Sequence, residues 1–66
     1  MRLTVNGELF EASEAETLEG LLGKLAIEPG RVAVMVNESI IKRADYLLYR
    51  LKESDKIEIV NFVGGG

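Results

Sequence analysis

The stretch RLTVNGELFE, residues 2–11, decides the fold, because its centre carries a strong hairpin signal. Asn6 and Gly7 are typical of a type I′ turn, in which both central residues need a positive φ. In a two-residue hairpin of this kind, Val5 faces Glu8 across the two strands. The sequence therefore predicts that the chain begins with two antiparallel strands joined by a tight turn.

One face of this hairpin is predicted to be apolar. Side chains alternate between the two faces of a strand, so every second residue shares a face. With Leu3 opposite Phe10, the apolar face holds Met1, Leu3, Val5, Phe10 and Ala12. Leu9 falls on the other face, so the alternation is imperfect and the buried side of the hairpin rests on the first set.

A helix is predicted next, capped by Thr17 and followed by the leucine stripe over residues 18–25. The hydroxyl of Thr17 can accept a hydrogen bond from an unpaired N–H of the first turn. Four leucines follow at the spacing of one helical face: Leu18, Leu21, Leu22 and Leu25. Gly20 and Gly23 each cost about 1 kcal/mol relative to alanine within a helix. Close packing of the helix on a sheet is one expected reason for keeping them.

The second half of the chain contains strands of different clarity. Residues 31–36, RVAVMV, are apolar on both faces, which predicts a central strand with little water on either side. Residues 40–41 are a short strand candidate, and the polar residues 42–46 are expected to be irregular. Residues 47–51, LLYRL, fit either a short strand or a helical turn. Residues 56–60, KIEIV, are the clearest final strand.

The order of hairpin, helix and strands predicts an α+β fold. A single amphipathic helix buries its apolar stripe against one face of a sheet. If the final strand runs next to the first, the arrangement is a β-grasp: a mixed sheet of four to five strands packed on one main helix. The C-terminal residues then follow from one end of the sheet.

Composition excludes several classes of function. The 66 residues suffice for one small domain, and 47% of them are hydrophobic, so the chain is expected to fold. There is no cysteine or histidine, which removes thiolate chemistry and the commonest neutral-pH base and metal ligand. The net charge of −3 argues against a nucleic-acid partner, and no apolar run is long enough for a membrane span. Residues 1–5 reach the turn too early for a signal peptide, so a cytoplasmic protein is expected.

Several stretches, taken in order, carry a family resemblance. They are VNGE at 5–8, TLEGLL at 17–22, VAVMVNE at 32–38, IKR at 41–43, DKIEIV at 55–60 and the terminal glycines at 65–66. With these stretches the chain resembles the ThiS group of sulfur carrier proteins of thiamine biosynthesis, within the ubiquitin-like MoaD/ThiS superfamily. The match covers nearly the whole chain without large gaps. The resemblance implies a β-grasp fold.

Three features depart from the family pattern. Ser54 stands where a glycine before the aspartate is common, which predicts a slightly different turn. Gly64 makes a third terminal glycine where a larger residue is common, and the helix contains two glycines. None of these positions carries the chemistry that the resemblance implies.

The resemblance implies that the protein is a cosubstrate and not an enzyme. The C-terminal carboxylate of Gly66 is adenylated by a ThiF-like, E1-like adenylyltransferase that uses ATP. Sulfur from a donor such as a cysteine desulfurase then replaces AMP, and a ThiG-like thiazole synthase consumes the resulting thiocarboxylate. The expected protein has no catalytic residue, bound cofactor or metal of its own, and neither nucleic acid nor membrane is an expected partner.

The terminal glycines suit a chain end that must enter the active site of another protein. We expect a folded domain over residues 1–63 and a flexible tail over residues 64–66, in which Gly64 and Gly65 lead to Gly66. Glycine has no Cβ and accepts the backbone angles that a narrow channel demands, and three extended residues reach about 10 Å. Phe62 and Val63 are candidates for the first partner contacts, although Phe62 fits equally well as the last core residue.

Other side chains receive simpler interpretations. Residues 34–36 are expected to belong mainly to the core, although Met35 on an exposed side of the sheet could help form a docking patch. Lys42 and Arg43 are expected to be solvated charges, or, in a carrier, to face an acidic partner. The helix dipole accounts for the carboxylates near the helix start, which are Glu14, Glu16 and Glu19.

Two alternatives to a thiamine carrier stay open from the sequence. The first is a carrier like the small subunit of molybdopterin synthase, which shares the fold and the tail chemistry. That group is usually longer and often has a proline just before its end, and this chain has none there. The second is a β-grasp interaction module whose glycine end is an inert terminus, which is the usual meaning of three terminal glycines.

Overall fold

A computed structural model describes residues 1–61 and shows five strands with one α-helix in that part of the chain. The elements in order are β1 (Arg2–Val5), β2 (Glu8–Glu11), α1 (Leu18–Lys24), β3 (Val32–Val36), β4 (Ser39–Ile41) and β5 (Lys56–Asn61). Short 3₁₀ turns at Pro29–Arg31 and Arg43–Asp45 precede β3 and follow β4. The predicted arrangement of one main helix and a mixed sheet is confirmed.

The sheet has the strand order β2-β1-β5-β3-β4. β1 and β5 are parallel, as the prediction of a final strand beside the first requires, and the other neighbours are antiparallel. β3 lies inside the sheet between β5 and β4, as predicted for a central strand, and β5 occupies the middle position. β3 alternates between buried and half-buried residues, which shows that only one of its faces is dry.

The N-terminal hairpin has the predicted register. Val5 lies opposite Glu8, and Leu3 lies opposite Phe10. Asn6 has a φ of +50° and Gly7 a φ of +85°, as a type I′ turn requires at both positions. The side chain of Leu9 is 72% exposed, on the face away from the core.

The helix begins and ends with recognisable caps. The N–H of Gly20 donates to the hydroxyl of Thr17 at 3.1 Å, as predicted. The leucines at 18, 21 and 22 are fully buried, which confirms the apolar stripe. Ala26 follows the helix with a φ of +58°, a left-handed position that usually favours glycine.

The two helix glycines have different surroundings. A Cβ on Gly20 would overlap the carboxylate of Glu16, whereas a Cβ on Gly23 would meet nothing within 4 Å. Glu16 is only 6% exposed and accepts hydrogen bonds from Lys24 Nζ at 2.6 Å and Ser13 Oγ at 3.2 Å. The expectation that both glycines permit close helix-on-sheet packing is therefore wrong. The helix dipole, which we expected to account for Glu16, does not explain why this side chain is buried. The two hydrogen bonds that the Glu16 carboxylate accepts do explain it.

The core lies between α1 and the inner face of the sheet. Its buried members are Leu3, Leu18, Leu21, Leu22, Val32, Val34, Val36, Tyr46, Leu51 and Ile57. Tyr46 is 2% exposed, although it lies in the polar stretch 42–46. Its burial raises the pKa of the phenol, against smaller opposing effects of the Val34 main chain and the Arg43 charge.

The ambiguous stretch 47–51 is neither a regular strand nor a regular helix. Helix-like hydrogen bonds run from the N–H groups of Leu48 and Tyr49 to the carbonyl of Asp45. Arg50 then forms an isolated bridge with Thr17, which ties this segment to the start of the helix. Leu51 is buried, and it brings the chain back to the core before β5.

Candidate functional site

The described chain ends at the last residue of the central strand. Asn61 lies opposite Val32 at the beginning of β3, so the described part of the chain ends at this end of the sheet. The predicted tail and contact residues follow directly and lie outside the described residues: Phe62, Val63, Gly64, Gly65 and Gly66. The structure therefore describes the folded part of the chain that precedes these residues. The predicted boundary between residues 63 and 64 stays a prediction.

Apolar side chains lie on the outer face of the sheet, from this end of β5 towards the turn between β3 and β4. Met35 lies opposite Ile40, and Ala33 lies opposite Val60. We call these four residues the outer-face patch. Ile40 is 75% exposed and Val60 is 55% exposed, while Ala33 and Met35 are half-buried. The patch ends one residue before Asn61.

The position of Met35 agrees with its interpretation from the sequence. Its two neighbours on β3, Val34 and Val36, point into the core and are almost completely buried. Met35 lies on the opposite face, in the middle of the outer-face patch. Exposed apolar groups that gather in one place are typical of interaction surfaces.

The beginning of β5 is held by a polar cluster around the buried carboxylate of Asp55. Asn37 Oδ1 accepts the N–H of Lys56 at 2.9 Å, and Asn37 Nδ2 donates to Asp55 Oδ1 at 2.9 Å. The second oxygen of Asp55, which is 5% exposed, accepts the N–H of Lys52 at 2.7 Å. These bonds fix the turn that leads into the strand.

A second asparagine holds β5 further along the strand, at Ile59. Asn6 Oδ1 accepts the N–H of Ile59 at 2.8 Å, and Asn6 Nδ2 lies 3.3 Å from the Ile59 carbonyl oxygen. The sequence identifies Asn6 only as a turn residue, and Asn37 only as part of the stretch VAVMVNE. No sequence signal links either of them to β5, because the contacts join residues that are far apart in the chain.

Positive charge lies near the same end of the sheet. Lys42 and Arg43 are exposed, as predicted for solvated charges. The guanidinium group of Arg43 lies over Gly30, where an added Cβ would come within 3.2 Å of it. Arg43 therefore packs along the backbone that precedes β3, and Gly30 leaves the space it occupies.

Residues 1–61 show few groups suited to catalysis. They hold no group of three or more His, Cys, Asp or Glu side chains that could bind a metal. In the same range, no helix has the length and the apolar character needed to cross a membrane.

Comparison with known proteins decides the family. A sequence model of the ThiS family matches residues 3–66, which is nearly the whole chain. The chain belongs to the ThiS family. The match includes the strand β5 and the glycines after it, so the resemblance seen in the separate stretches is confirmed.

A solved structure supports the fold assignment. The crystal structure of the thiamine biosynthesis protein ThiS from Geobacter metallireducens superposes with a TM-score of 0.86 and 30% sequence identity. The two chains cover each other completely. The β-grasp fold predicted from the order of elements is therefore confirmed.

Two curated relatives are longer proteins. The thiazole synthases of Magnetococcus marinus and Paramagnetospirillum magneticum are 44% and 41% identical to this chain over 66 residues. All of this chain is covered in both comparisons, but it spans only 20% of each relative. In those proteins a ThiS-like segment and a much longer remainder share one polypeptide.

Proposed function

We propose that this protein is a sulfur carrier for thiamine biosynthesis, with the C-terminal carboxylate of Gly66 as the group that carries sulfur. The observation that carries the proposal is the family match, which continues through β5 to Gly66. The protein acts as a cosubstrate, and the catalytic groups and the ATP site belong to its partners. A location in the cytoplasm is part of the same proposal.

The chemistry needs activation of the carboxylate. A C-terminal carboxylate is ionised at neutral pH and is a poor electrophile. One of its oxygens attacks the α-phosphorus of ATP and pyrophosphate leaves, which produces an acyl adenylate. Sulfide then displaces AMP to give the thiocarboxylate. If a persulfide attacks instead, an acyl disulfide forms first, and a thiol must reduce it to release the thiocarboxylate.

The partners follow from these steps. An E1-like adenylyltransferase of the ThiF type supplies ATP chemistry, a cysteine desulfurase supplies the persulfide, and a ThiG-type thiazole synthase consumes the product. The two thiazole synthases that include a ThiS-like segment support the last of these, because one chain there joins carrier-like and synthase-named parts.

The outer-face patch supports a carrier that docks on another protein. Ile40 and Val60 stay largely exposed although both belong to strands of the sheet. Val60 lies one residue before the end of β5, so a partner that covers the patch also lies next to the emerging tail. Burial of this apolar surface can offset part of the entropy lost when the tail is ordered, roughly 1 to 2 kcal/mol per residue for the backbone.

The test is formation of the thiocarboxylate. The 66-residue protein is incubated with ATP, a cysteine desulfurase with cysteine, a thiol reductant and a ThiF-type enzyme, and its intact mass is recorded. We expect ATP-dependent exchange of one oxygen for sulfur. Variants without Gly66, or with one residue added after it, serve as controls and should not react, while their circular dichroism should match that of the parent.

The mass measurement, followed by assays of the sulfur-loaded protein with each synthase, separates the alternatives. If an enzyme that is active on its own carrier leaves this protein unchanged, the interaction module with an inert end is the better interpretation. If the thiocarboxylate forms but supports molybdopterin synthase and not thiazole synthase, the molybdopterin alternative is correct. Sulfur exchange followed by thiazole formation supports the proposed function.

A further inference from the structure

The parallel ladder between β1 and β5 stops before β5 ends. The N–H of Thr4 donates to the carbonyl of Asp55 at 3.0 Å, and the N–H of Asn6 donates to the carbonyl of Ile57 at 2.9 Å. Bonds in a parallel ladder are evenly spaced, so the next one would join the N–H of Ile59 to the main-chain carbonyl of Asn6. At Asn6, however, the chain turns into β2 with a φ of +50°, and the ladder cannot continue in the regular way.

The side chain of Asn6 supplies the missing contacts. Its Oδ1 accepts the N–H of Ile59 at 2.8 Å, and its Nδ2 lies 3.3 Å from the carbonyl oxygen of the same residue. A side-chain amide carries an acceptor and a donor, like a peptide group, so it can replace one residue of a neighbouring strand. Beyond this point, within residues 1–61, β5 has a strand neighbour only on the β3 side, through Asn61.

We propose that Asn6 is a positioning residue for the C-terminal tail. Its amide extends the β1–β5 ladder to Ile59, two residues before Asn61, and so fixes the direction in which β5 leaves the sheet. This inference rests on the proposed carrier function. A carrier gains from a last strand that is held on both edges at Ile59, because a fixed strand direction reduces the conformational entropy that is lost when the C-terminal residues enter a partner.

Asn37 provides a matched comparison within the same chain. It is also an asparagine in a hairpin turn, with a φ of +52°, and its Oδ1 also accepts an N–H of β5, that of Lys56. It acts at the beginning of the strand, together with the buried Asp55. The two asparagines thus bind β5 by the same chemistry at different positions, Asn37 at its first residue and Asn6 at Ile59, nearer to its C-terminal end.

The variants Asn6→Gly and Asn37→Gly test this difference. Glycine accepts the positive φ at both turns, so each substitution removes the amide and keeps the turn. A third variant, Asn6→Asp, keeps an acceptor for the N–H of Ile59 and loses the donor. Two readouts are needed: amide hydrogen exchange at Ile59, and kcat and KM for adenylation of the carrier by a ThiF-type enzyme well below the melting temperature.

We expect Asn6→Gly to lower the protection of the Ile59 amide about three- to tenfold, in proportion to the loss of a hydrogen bond. For adenylation, kcat should fall by a similar factor with KM unchanged, because the outer-face patch is intact and only the presentation of the tail has changed. Asn6→Asp should recover part of both. Asn37→Gly should lower the melting temperature more than Asn6→Gly does, and should leave kcat within about twofold, because Asn37 is remote from the exit.

Two results would overturn the inference. One is a kcat for Asn6→Gly equal to that of the parent despite lost protection at Ile59. The other is a fall in kcat for both variants in proportion to their loss of stability, which is what a purely structural role predicts. If the parent itself is not adenylated by an enzyme active on its own carrier, the proposed function fails, and the positioning role fails with it.

Discussion

The two faces of the sheet carry similar residues in opposite surroundings. On the inner face, Val34 and Ile57 are 0% exposed beneath the helix. On the outer face, Val60 and Ile40 of the same sheet are 55% and 75% exposed. Folding removes the first pair from water and leaves the second pair in it. The difference indicates that the inner residues stabilise the domain, whereas the outer residues are available to a partner.

Truncation on the inner face should have the largest effect. Ile57→Ala should lower the free energy of unfolding by about 2 to 5 kcal/mol, because it removes buried methyl groups from a close-packed core. Chemical denaturation measures this value, and Val60→Ala on the same strand is the matched control. The control should change the free energy of unfolding by about 0.5 kcal/mol or less, as surface substitutions commonly do. Equal losses in the two variants would remove the distinction between the faces.

A charge on the outer face should affect association instead of stability. Val60→Asp should raise the KM of the activating enzyme for the carrier at least about tenfold, equivalent to about 1.4 kcal/mol, because it buries a charge in the docked complex. The free energy of unfolding should change by no more than about 0.5 kcal/mol. Steady-state adenylation kinetics measure the effect.

Leu9→Asp is the control for this prediction. Leu9 is 72% exposed on the same outer face. It pairs with Thr4 in the edge strand β2, however, whereas Ile40 lies in β4 at the opposite edge of the sheet. The KM of the activating enzyme for the Leu9→Asp variant should match its KM for the parent protein. A KM raised equally by Leu9→Asp would show that the outer-face patch has no special role.

The two helix glycines also lie in opposite surroundings, because only Gly20 has a buried side chain close to it. Gly23→Ala should raise the free energy of unfolding by about 0.5 to 1 kcal/mol, because alanine is the better helix former and its Cβ meets nothing within 4 Å. Gly20→Ala should lower it, because the new Cβ displaces the buried carboxylate of Glu16 from its partner Lys24. Thermal denaturation of both variants distinguishes the signs, and stabilisation by Gly20→Ala would contradict the role given to Glu16.

Local patterns in the sequence predicted the local structure correctly. The pair Asn6-Gly7 determined the register of the hairpin, and Thr17 with the leucine stripe located the helix. These features depend on residues that are close in sequence, where turn geometry and helical periodicity act directly. The general order of elements was enough to predict the β-grasp, because a single helix leaves few ways to cover the sheet.

Long-range features could not be predicted in the same way. The apolar run of β3 predicts an interior strand but not which strands flank it, so the middle position of β5 is visible only in the structure. Tyr46 lies among polar residues, and only the fold shows that it is buried. The bonds of Asn6 to Ile59 span most of the chain and leave no local pattern.

Ser54 gives a physical meaning to one departure from the family pattern. Its φ is +72°, in the left-handed region where glycine has no steric penalty and serine does. The glycine that the family resemblance leads us to expect at this position would therefore suit the turn before β5. The serine keeps the same region of backbone conformation, at the expense of some local strain.

The central claim is that sulfur is carried on Gly66, and peptide mapping of the sulfur-loaded protein tests it most directly. Cleavage after Lys56 by trypsin releases the C-terminal peptide of residues 57–66, which can be sequenced by fragment-ion mass spectrometry. We expect one oxygen-to-sulfur exchange in this peptide, confined to fragments that contain Gly66. Sulfur on any other peptide, or an unmodified 57–66 peptide from protein treated with a competent activating enzyme, would contradict it.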